Sequence, residues 1–298
     1  MSESSVINRN FKLLLSAKSP SAEPLPAIFK HETANMSLEN LPELVKLGIF
    51  QKQIPQYFFK YRTLESLEKI LENNSLWFSN PLDFNDPFDC QIVVEGNHTE
   101  EELKELIKRT VTSTVSDAQV AQLAKEAATT PEKWEKILNT SITNIMSRNG
   151  VCCFAVNESN LLMWSHYSNS HKGVCLKFDA LKDPDFFVFP LPVNYQSEYP
   201  NYNHLGDRQD ILKSLILTKS DHWKYEEEQR VLKTNQVGLH QFKKPALVEI
   251  IFGCRCTEED IKKYIDLAKS HGFETKFKKA VKKHRKYGLD FMDVNKYW

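Results

Sequence analysis

Three charged residues alternate along one short segment of the chain: Glu226, Glu228 and Arg230. Alternate residues of a β-strand share a face, so a strand here would point two carboxylates and a guanidinium the same way. Trp223 and Tyr225 add flat apolar area beside them, as ligand sites often do. Two interpretations fit: a ligand site, or a solvated edge strand in which Arg230 pairs with a glutamate.

A second polar group ends a predicted apolar strand over residues 161–167. Ser165 beside His166 suggests a hydrolase triad, but neighbouring strand residues face opposite ways and no GxSxG turn is present. One interpretation is a strand end whose polar groups are satisfied by the backbone. The other is the wall of a ligand site, with Tyr167 as a stacking face.

Arg62 follows a predicted strand over residues 57–61 and precedes a helix that Thr63 can cap. A guanidinium at a helix N-terminus can bind an anionic ligand, although a plain surface arginine fits the same position.

Two further segments carry charge. The loop around Asn85, Asp86 and Asp89 offers oxygen ligands for a hard cation, but Asx turns explain the same residues. The basic segment over residues 276–286 can contact the phosphates of a nucleic acid, or it can be a stretch of charged residues exposed to solvent.

The composition is that of a globular protein, with 298 residues, 26% charged residues and a formal net charge of zero. No global field therefore attracts the chain to nucleic acid or to an anionic membrane. No apolar stretch approaches the length of a membrane helix, and the first residues lack a secretory signal, so a cytoplasmic protein is expected. The six cysteines are expected to be reduced and to bind no metal, because their spacings match no structural zinc site.

The helices and strands that the sequence predicts around these residues indicate an α+β fold. Residues 1–55 are expected to form an N-terminal appendage with a short helix, and residues 56–298 a single α+β domain with a helical insertion at about 99–149. The predicted strands cover 57–61, 75–79, 151–156, 161–167, 173–178, 227–233, 246–252 and 274–280. Predicted helices follow Thr63, cover 210–220, and follow Thr257.

Three segments together, FKYRTLESLEKILENNSLWFSNPLDFNDPFDC, LLMWSHYSNSHKGVCLKFD and WKYEEEQRV, resemble the bacterial family known as domain of unknown function 2971. The resemblance covers most of residues 57–280. This chain has Gln229 where the family usually has a tryptophan. The family name implies no activity.

A second resemblance is to the ADP-ribosyltransferase superfamily, whose DNA-modifying and tRNA-phosphate-removing members open with a segment similar to YFFKYRTLESLEKILENNSLWFS. It implies a split, strongly bent mixed sheet and a site spread over three strands: Arg62, then Ser165 or Tyr167, then Glu226 and Glu228. Glu228 would be the catalytic carboxylate, with Glu226 assisting it. The NAD-binding residues implied are Arg62, Thr63, Trp164, Ser165, His166, Tyr167, Tyr225 and Arg230.

The implied chemistry suits these residue types. Cleavage of the nicotinamide bond passes through an oxocarbenium-like state, and nicotinamide leaves as a neutral group, so one carboxylate that stabilises positive charge can suffice. The expected function is that of an NAD-consuming ADP-ribosyltransferase or NAD glycohydrolase whose acceptor is protein, nucleic acid or water. A toxin or phage-defence role is a family association. The alternatives are a metal-dependent nuclease using Asp86, Asp89 and Glu228, and a non-enzymatic nucleotide-binding sensor.

Overall fold

A computed structural model describes residues 41–94, 98–110, 115–188, 190–202 and 214–294. Over these residues the chain is an α+β protein with several separate sheets. Most of the predicted appendage, up to residue 40, lies outside the described residues. So does the first part, residues 210–213, of the predicted helix over 210–220.

Helices and strands alternate irregularly along the chain. The helices are α1 (Leu41–Phe50), α2 (Leu64–Asn73), α3 (Glu100–Thr110), α4 (Asp117–Thr129), α5 (Pro131–Met146), α6 (Leu161–Tyr167) and α7 (Glu258–Ser270). The first seven strands are β1 (Tyr57–Arg62), β2 (Ser75–Phe78), β3 (Val93–Val94), β4 (Gly150–Phe154), β5 (Val174–Asp179), β6 (Pro190–Pro192) and β7 (Asn194–Gln196). The others are β8 (Asn201–Tyr202), β9 (Thr218–Ser220), β10 (Gln229–Lys233), β11 (Gly238–Gln241), β12 (Leu247–Phe252), β13 (Lys276–Lys282) and β14 (Leu289–Asp293).

The largest sheet has five strands in the order β1-β5-β12-β13-β14. Its pairs are antiparallel except β12 with β13, which are parallel. Both faces are covered, because Ile250 and Phe252 of β12 pack into one hydrophobic cluster and Ile251 into another. Sheets buried on both faces have near-continuous apolar strands, which explains the sequence LVEIIF.

A three-stranded sheet, β4-β10-β6, lies beside the first sheet. A bridge between Phe59 of β1 and Ala155, the residue after β4, joins the two. A similar bridge links Ser79, which follows β2, to Val151 of β4. These bridges bring the end of β1 and the start of β10 into one region, although about 170 residues separate them along the chain.

Helix α2 begins where the sequence predicts. The Thr63 hydroxyl accepts a hydrogen bond from the Ser66 amide at 3.2 Å, as an N-cap does. One face of the helix is apolar and buried, with Leu67, Ile70 and Leu71. The predicted cap at Thr257 is confirmed in the same way, because its hydroxyl accepts from the Asp260 amide at 3.1 Å.

The predicted strand over residues 161–167 is wrong, because these residues form helix α6. The Asn160 side-chain oxygen accepts hydrogen bonds from the Leu162 and Met163 amides and so caps the helix. In a helix the residues at i and i+4 share a face, which puts Met163 and Tyr167 together.

The predicted strand over 227–233 begins two residues later than expected. Residues Asp221–Glu226 form a 3₁₀ helix, which Glu227 ends in a left-handed conformation with φ of 46°. Glu226 is therefore not on a strand. The turn at Glu227 nevertheless leaves Glu226 and Glu228 both buried, as a shared strand face would have done. Strand β14, which follows a turn after β13, has no counterpart among the predicted strands.

Gly173, the residue before β5, lies against the backbone of Arg62 at the end of β1. A Cβ atom on Gly173 would lie 2.2 Å from the Arg62 carbonyl oxygen, and backbone atoms cannot yield as a flexible side chain can. We expect Gly173→Ala to lower the free energy of unfolding by about 1 to 3 kcal/mol, as overpacking does. Urea unfolding measures this, with Lys172→Ala, at the exposed neighbouring position, as the control. Equal midpoints for the two variants would contradict the expectation.

Within the described ranges, no helix has both the length and the apolar character needed to cross a bilayer.

Candidate functional site

The site is built around the guanidinium of Arg230, whose side chain is completely buried. Nη1 and Nη2 donate to the two carboxylate oxygens of Asp89 at 3.1 and 2.6 Å. Nε and Nη2 donate to the two oxygens of Glu228 at 2.8 and 3.2 Å. Each carboxylate is thus held in a two-point contact, the geometry for which arginine is suited. The predicted pairing of Arg230 with a glutamate is present, but in the interior of the protein.

Lys219 connects this pair of contacts to a third carboxylate. Its Nζ lies 3.1 Å from Glu228 Oε2, 2.5 Å from Glu226 Oε2 and 3.8 Å from Asp89 Oδ2. Three buried carboxylates therefore share two buried cations, and the group as a whole carries one negative charge more than positive when all are ionised. Such an excess is costly in a region shielded from water.

The third carboxylate, Glu226, has a different surrounding from Glu228. Its Oε1 accepts a hydrogen bond from the Tyr167 hydroxyl at 2.6 Å. Helix α6 fixes this contact, since the Asn160 side chain that caps the helix also donates to the Tyr225 carbonyl oxygen. The cap therefore joins α6 to the segment that carries Glu226.

The surroundings of Glu226 and Glu228 shift the pKa values of their carboxyl groups in opposite directions. Burial raises the pKa of Glu226 above its usual value, and the nearby charge of Lys219 offsets this only in part. Burial would also raise the pKa of Glu228, but attraction to Arg230 and Lys219 outweighs it, so that this pKa lies well below the ordinary range. Burial lowers the pKa of Lys219, but the charges of Glu228 and Glu226 outweigh that effect and raise it overall. Glu228 is thus the carboxylate that stays ionised, and Glu226 is the one of the two that is more easily protonated.

A cavity of about 270 Å³ opens onto these groups. The chain brings together here several residues that the sequence predicts for the site, from β1, α6 and the start of β10. The lining of this cavity includes Lys60, Arg62, Tyr167, Lys219, Glu226 and Glu228. A second cavity, of about 510 Å³, also includes Lys219 in its lining and has the aromatic rings of Phe88, Tyr199 and Trp223.

Other residues of the predicted set lie outside the lining of the first cavity. Trp164 is completely buried, donates from Nε1 to the Glu158 carbonyl oxygen at 2.7 Å, and packs edge-on against Tyr61. Its ring is part of the core beneath the site. Ser165 and His166 are exposed on α6.

Two more predicted residues support the site from outside the cavity. Thr63 caps α2 through its side chain. The ring of Tyr225 is partly buried between those of His166 and Trp223, with centroids 6.1 and 5.9 Å away.

The loop suggested as a cation site has another role in this structure. Asp89 binds Arg230, as described above, and Asp86 Oδ1 accepts a hydrogen bond from the Phe88 amide at 2.9 Å in an Asx turn. In the part of the chain that the structure describes, no group of three or more His, Cys, Asp or Glu side chains has the arrangement of a metal site. The six cysteines are free thiols.

Sequence reasoning missed Lys219, Lys60 and Tyr195. The Tyr195 hydroxyl accepts a hydrogen bond from the Glu228 amide at 2.9 Å and so fixes the backbone at the start of β10. Nothing in the local sequence around Lys219 distinguishes it from a surface lysine. The imbalance between negative and positive charges in the segment would have been a useful signal. Two buried glutamates need more positive charge than Arg230 alone provides.

Part of this chain matches a known protein family. The family described as protein of unknown function (DUF2971) is similar to this chain over residues 163–231. That segment contains Tyr167, Lys219, Glu226, Glu228 and Arg230, but neither Arg62 nor Asp89. No curated protein and no solved structure matches the chain. None of these comparisons supports the resemblance to ADP-ribosyltransferases.

Proposed function

We propose that this protein cleaves the bond between nicotinamide and ribose in NAD and passes the ADP-ribosyl group to water or to another acceptor. The observation that carries the proposal is the pair Glu226 and Glu228, two carboxylates on one cavity wall whose pKa values are shifted in opposite directions. Pairs of this kind divide the roles of acid, base and charge stabiliser in enzymes that cleave glycosidic bonds.

Glu228 is suited to stabilise positive charge on the ribose. Its carboxylate stays ionised because Arg230 and Lys219 hold it, and it is fixed before any ligand arrives. A charge that is already oriented needs no reorganisation when an oxocarbenium-like state develops. Nicotinamide leaves as a neutral group, so this step needs no proton donor.

Glu226 is suited to accept a proton from the attacking group. The water or acceptor hydroxyl that attacks the ribose carbon must lose a proton, and a carboxylate with a raised pKa is a stronger base than an ordinary one. The Tyr167 hydroxyl donates to Oε1 of Glu226 and orients the carboxylate.

NAD needs more room than the first cavity offers. A space of about 270 Å³ suits the nicotinamide and its ribose, and Arg62 in the lining is placed to hold the pyrophosphate. The second cavity shares Lys219 with the first, and its aromatic rings suit the adenine. The two cavities together are in the range of sites for ligands of this size.

The direct test is to incubate the protein with NAD and follow free nicotinamide by chromatography, with and without a chelator. Release that the chelator leaves unchanged supports the proposal. Release that the chelator abolishes indicates a metal-dependent reaction, and saturable NAD binding without release indicates a nucleotide sensor. Binding without release contradicts the proposed function, and release that needs a metal contradicts the metal-free roles given to Glu226 and Glu228. Arg62→Ala is expected to raise KM with a smaller effect on kcat, because it removes a binding contact.

The rate of nicotinamide release should rise with pH through the raised pKa of Glu226 and then level off. The sign follows from the role, since only the deprotonated carboxylate accepts a proton and it predominates above that pKa. Glu226→Gln should remove the rising limb, while Glu227→Gln, at the exposed position between the two glutamates, should keep it. A limb that survives in Glu226→Gln would assign the titration to another group.

A further inference from the structure

Lys60 is a buried lysine at the cavity wall that the mechanism above does not use. It lies on β1 with only 3% of its surface exposed. Its Nζ donates to the Cys153 carbonyl oxygen at 2.8 Å and lies 4.9 Å from the centroid of the Phe154 ring. Lysine is seldom buried to this degree, and when it is, a carboxylate usually pairs with it.

Lys219, in the lining of the same cavity, makes the contrast clear. Three carboxylates lie within 4 Å of its Nζ. Among the described residues no carboxylate forms an ion pair with Lys60, and the contacts of its amine are a carbonyl oxygen and an aromatic face. Two lysines on one cavity thus have opposite surroundings.

The surroundings of Lys60 favour the neutral amine. Burial lowers the pKa of its ammonium group, and the positive charge of Arg62 lowers it further. The thiols of Cys152 and Cys153 act in the other direction but less strongly. A desolvated lysine next to another cationic group is the arrangement that gives an amine nucleophile at neutral pH.

Arg62 favours a ligand that carries a negative charge. It lies two residues from Lys60 on the same strand, so both side chains leave β1 on the same face, with backbone positions about 7 Å apart. Its Nη1 donates to the Tyr61 carbonyl oxygen, and within the described part of the chain no carboxylate pairs with it. A ligand that reached both groups would carry an anion at one end and an electrophile at the other.

We infer that Lys60 is an amine nucleophile that forms an imine with a small phosphorylated aldehyde, whose phosphate binds Arg62. In this reaction the amine nitrogen adds to the carbonyl carbon, and the resulting carbinolamine loses its oxygen as water together with the two protons that the neutral amine carried. No oxidant or metal is needed. The inference does not depend on cleavage of NAD.

Pyridoxal 5′-phosphate, an aldehyde that carries a phosphate, is a suitable probe. The whole protein is incubated with it at neutral pH, the imine is reduced with borohydride, and the modified peptides are identified by mass spectrometry. We expect Lys60 to carry the label at low probe concentration and Lys219 to remain unmodified. Labelling confined to exposed lysines, with Lys60 untouched, would overturn the inference, and this readout needs no variant.

Two comparisons test the chemistry further. Lys60→Met keeps an unbranched side chain of similar length but removes the amine, so it should lose the label at this position. Lys60→Arg should lose the label as well. Pyridoxal, which lacks the phosphate, should label Lys60 less than the phosphorylated probe does, and Arg62→Gln should remove that difference. Equal labelling by the two aldehydes in the unaltered protein would contradict the assignment of the phosphate to Arg62.

Discussion

Replacing Glu228 by glutamine is expected to lower the rate of nicotinamide release about 100- to 1,000-fold, which corresponds to about 3 to 4 kcal/mol of transition-state stabilisation. Glutamine has the size and the hydrogen-bonding reach of glutamate but no charge. The loss should therefore fall on kcat, where the charge acts on the developing oxocarbenium-like state, and much less on the binding of NAD.

The fold should survive this change because of the charge balance in the site. Three carboxylates share Lys219 and Arg230, so removal of one negative charge leaves two anions and two cations. Asp89 still holds Arg230 at two points, and Glu226 still holds Lys219. The cost to stability is then that of an altered hydrogen bond, about 1 to 3 kcal/mol, rather than that of an isolated buried charge.

Measurement of kcat and of the melting temperature on the same preparations separates the two effects. Glu227→Gln is the matched control, since it removes the same charge at the exposed neighbouring residue. An active parent protein whose rate is unchanged in Glu228→Gln would show that Glu228 is a structural carboxylate only.

Arg230→Met should lower the free energy of unfolding by about 3 to 5 kcal/mol, because it leaves Asp89 and Glu228 buried beside a single remaining cation. The side chain of Arg230 is fully buried and bonds to both carboxylates, so no solvent replaces it. Arg230→Lys should be intermediate, since an ammonium keeps the charge but cannot contact two carboxylates at two points each.

Chemical denaturation measures this loss, and its pH dependence adds a check. Because the pKa of Glu228 is lowered in the folded protein, its contribution to stability is present above the unfolded pKa and is lost as pH falls through the folded value. The difference between the parent and Arg230→Met should therefore shrink towards acidic pH.

The control for Arg230→Met is Lys46→Met, in an exposed ion pair with Glu43. That pair has a separation of 2.6 Å, yet both side chains are largely in solvent, so about 0 to 1 kcal/mol is expected. A similar small loss for Arg230→Met would mean that the buried contacts contribute no more than surface ones.

The sequence was sufficient to predict the helices and strands whose signals are local. The caps at Thr63 and Thr257, together with the apolar positions that follow them, predicted α2 and α7 at their correct starts. The strands predicted over 57–61 and 246–252 correspond to β1 and β12, and they were recognised because most of their residues are apolar or aromatic, as in strands buried between two layers.

Helix α6 was predicted as a strand because its sequence, LLMWSHY, is short and has no clear period. Short apolar runs fit a strand and a buried helix equally well. The decisive residue was Asn160, whose side chain caps the helix, and a reading that gave this asparagine weight would have predicted the helix.

The site was predicted in part. Alternation placed Glu226, Glu228 and Arg230 together, and the structure brings them together through a left-handed turn at Glu227 instead of a continuous strand. The partners of Arg230 could not be found in this way, since Asp89 is 141 residues away along the chain. Long-range pairing of charges depends on the topology of the sheets, which spacing along the sequence does not encode.

The order of strands has a consequence for choosing fragments of this protein. The segment that matches the family, residues 163–231, contains β5 and the first three residues of β10. Their neighbours β1, β12 and β4 all lie outside it. A peptide cut at those limits would expose both edges of β5 and one edge of β10, and it would separate Arg230 from Asp89, so the recognisable signature is smaller than the unit able to fold. An expressed fragment intended for structural work has to reach from β1 to at least β13, since β12 lies between β5 and β13.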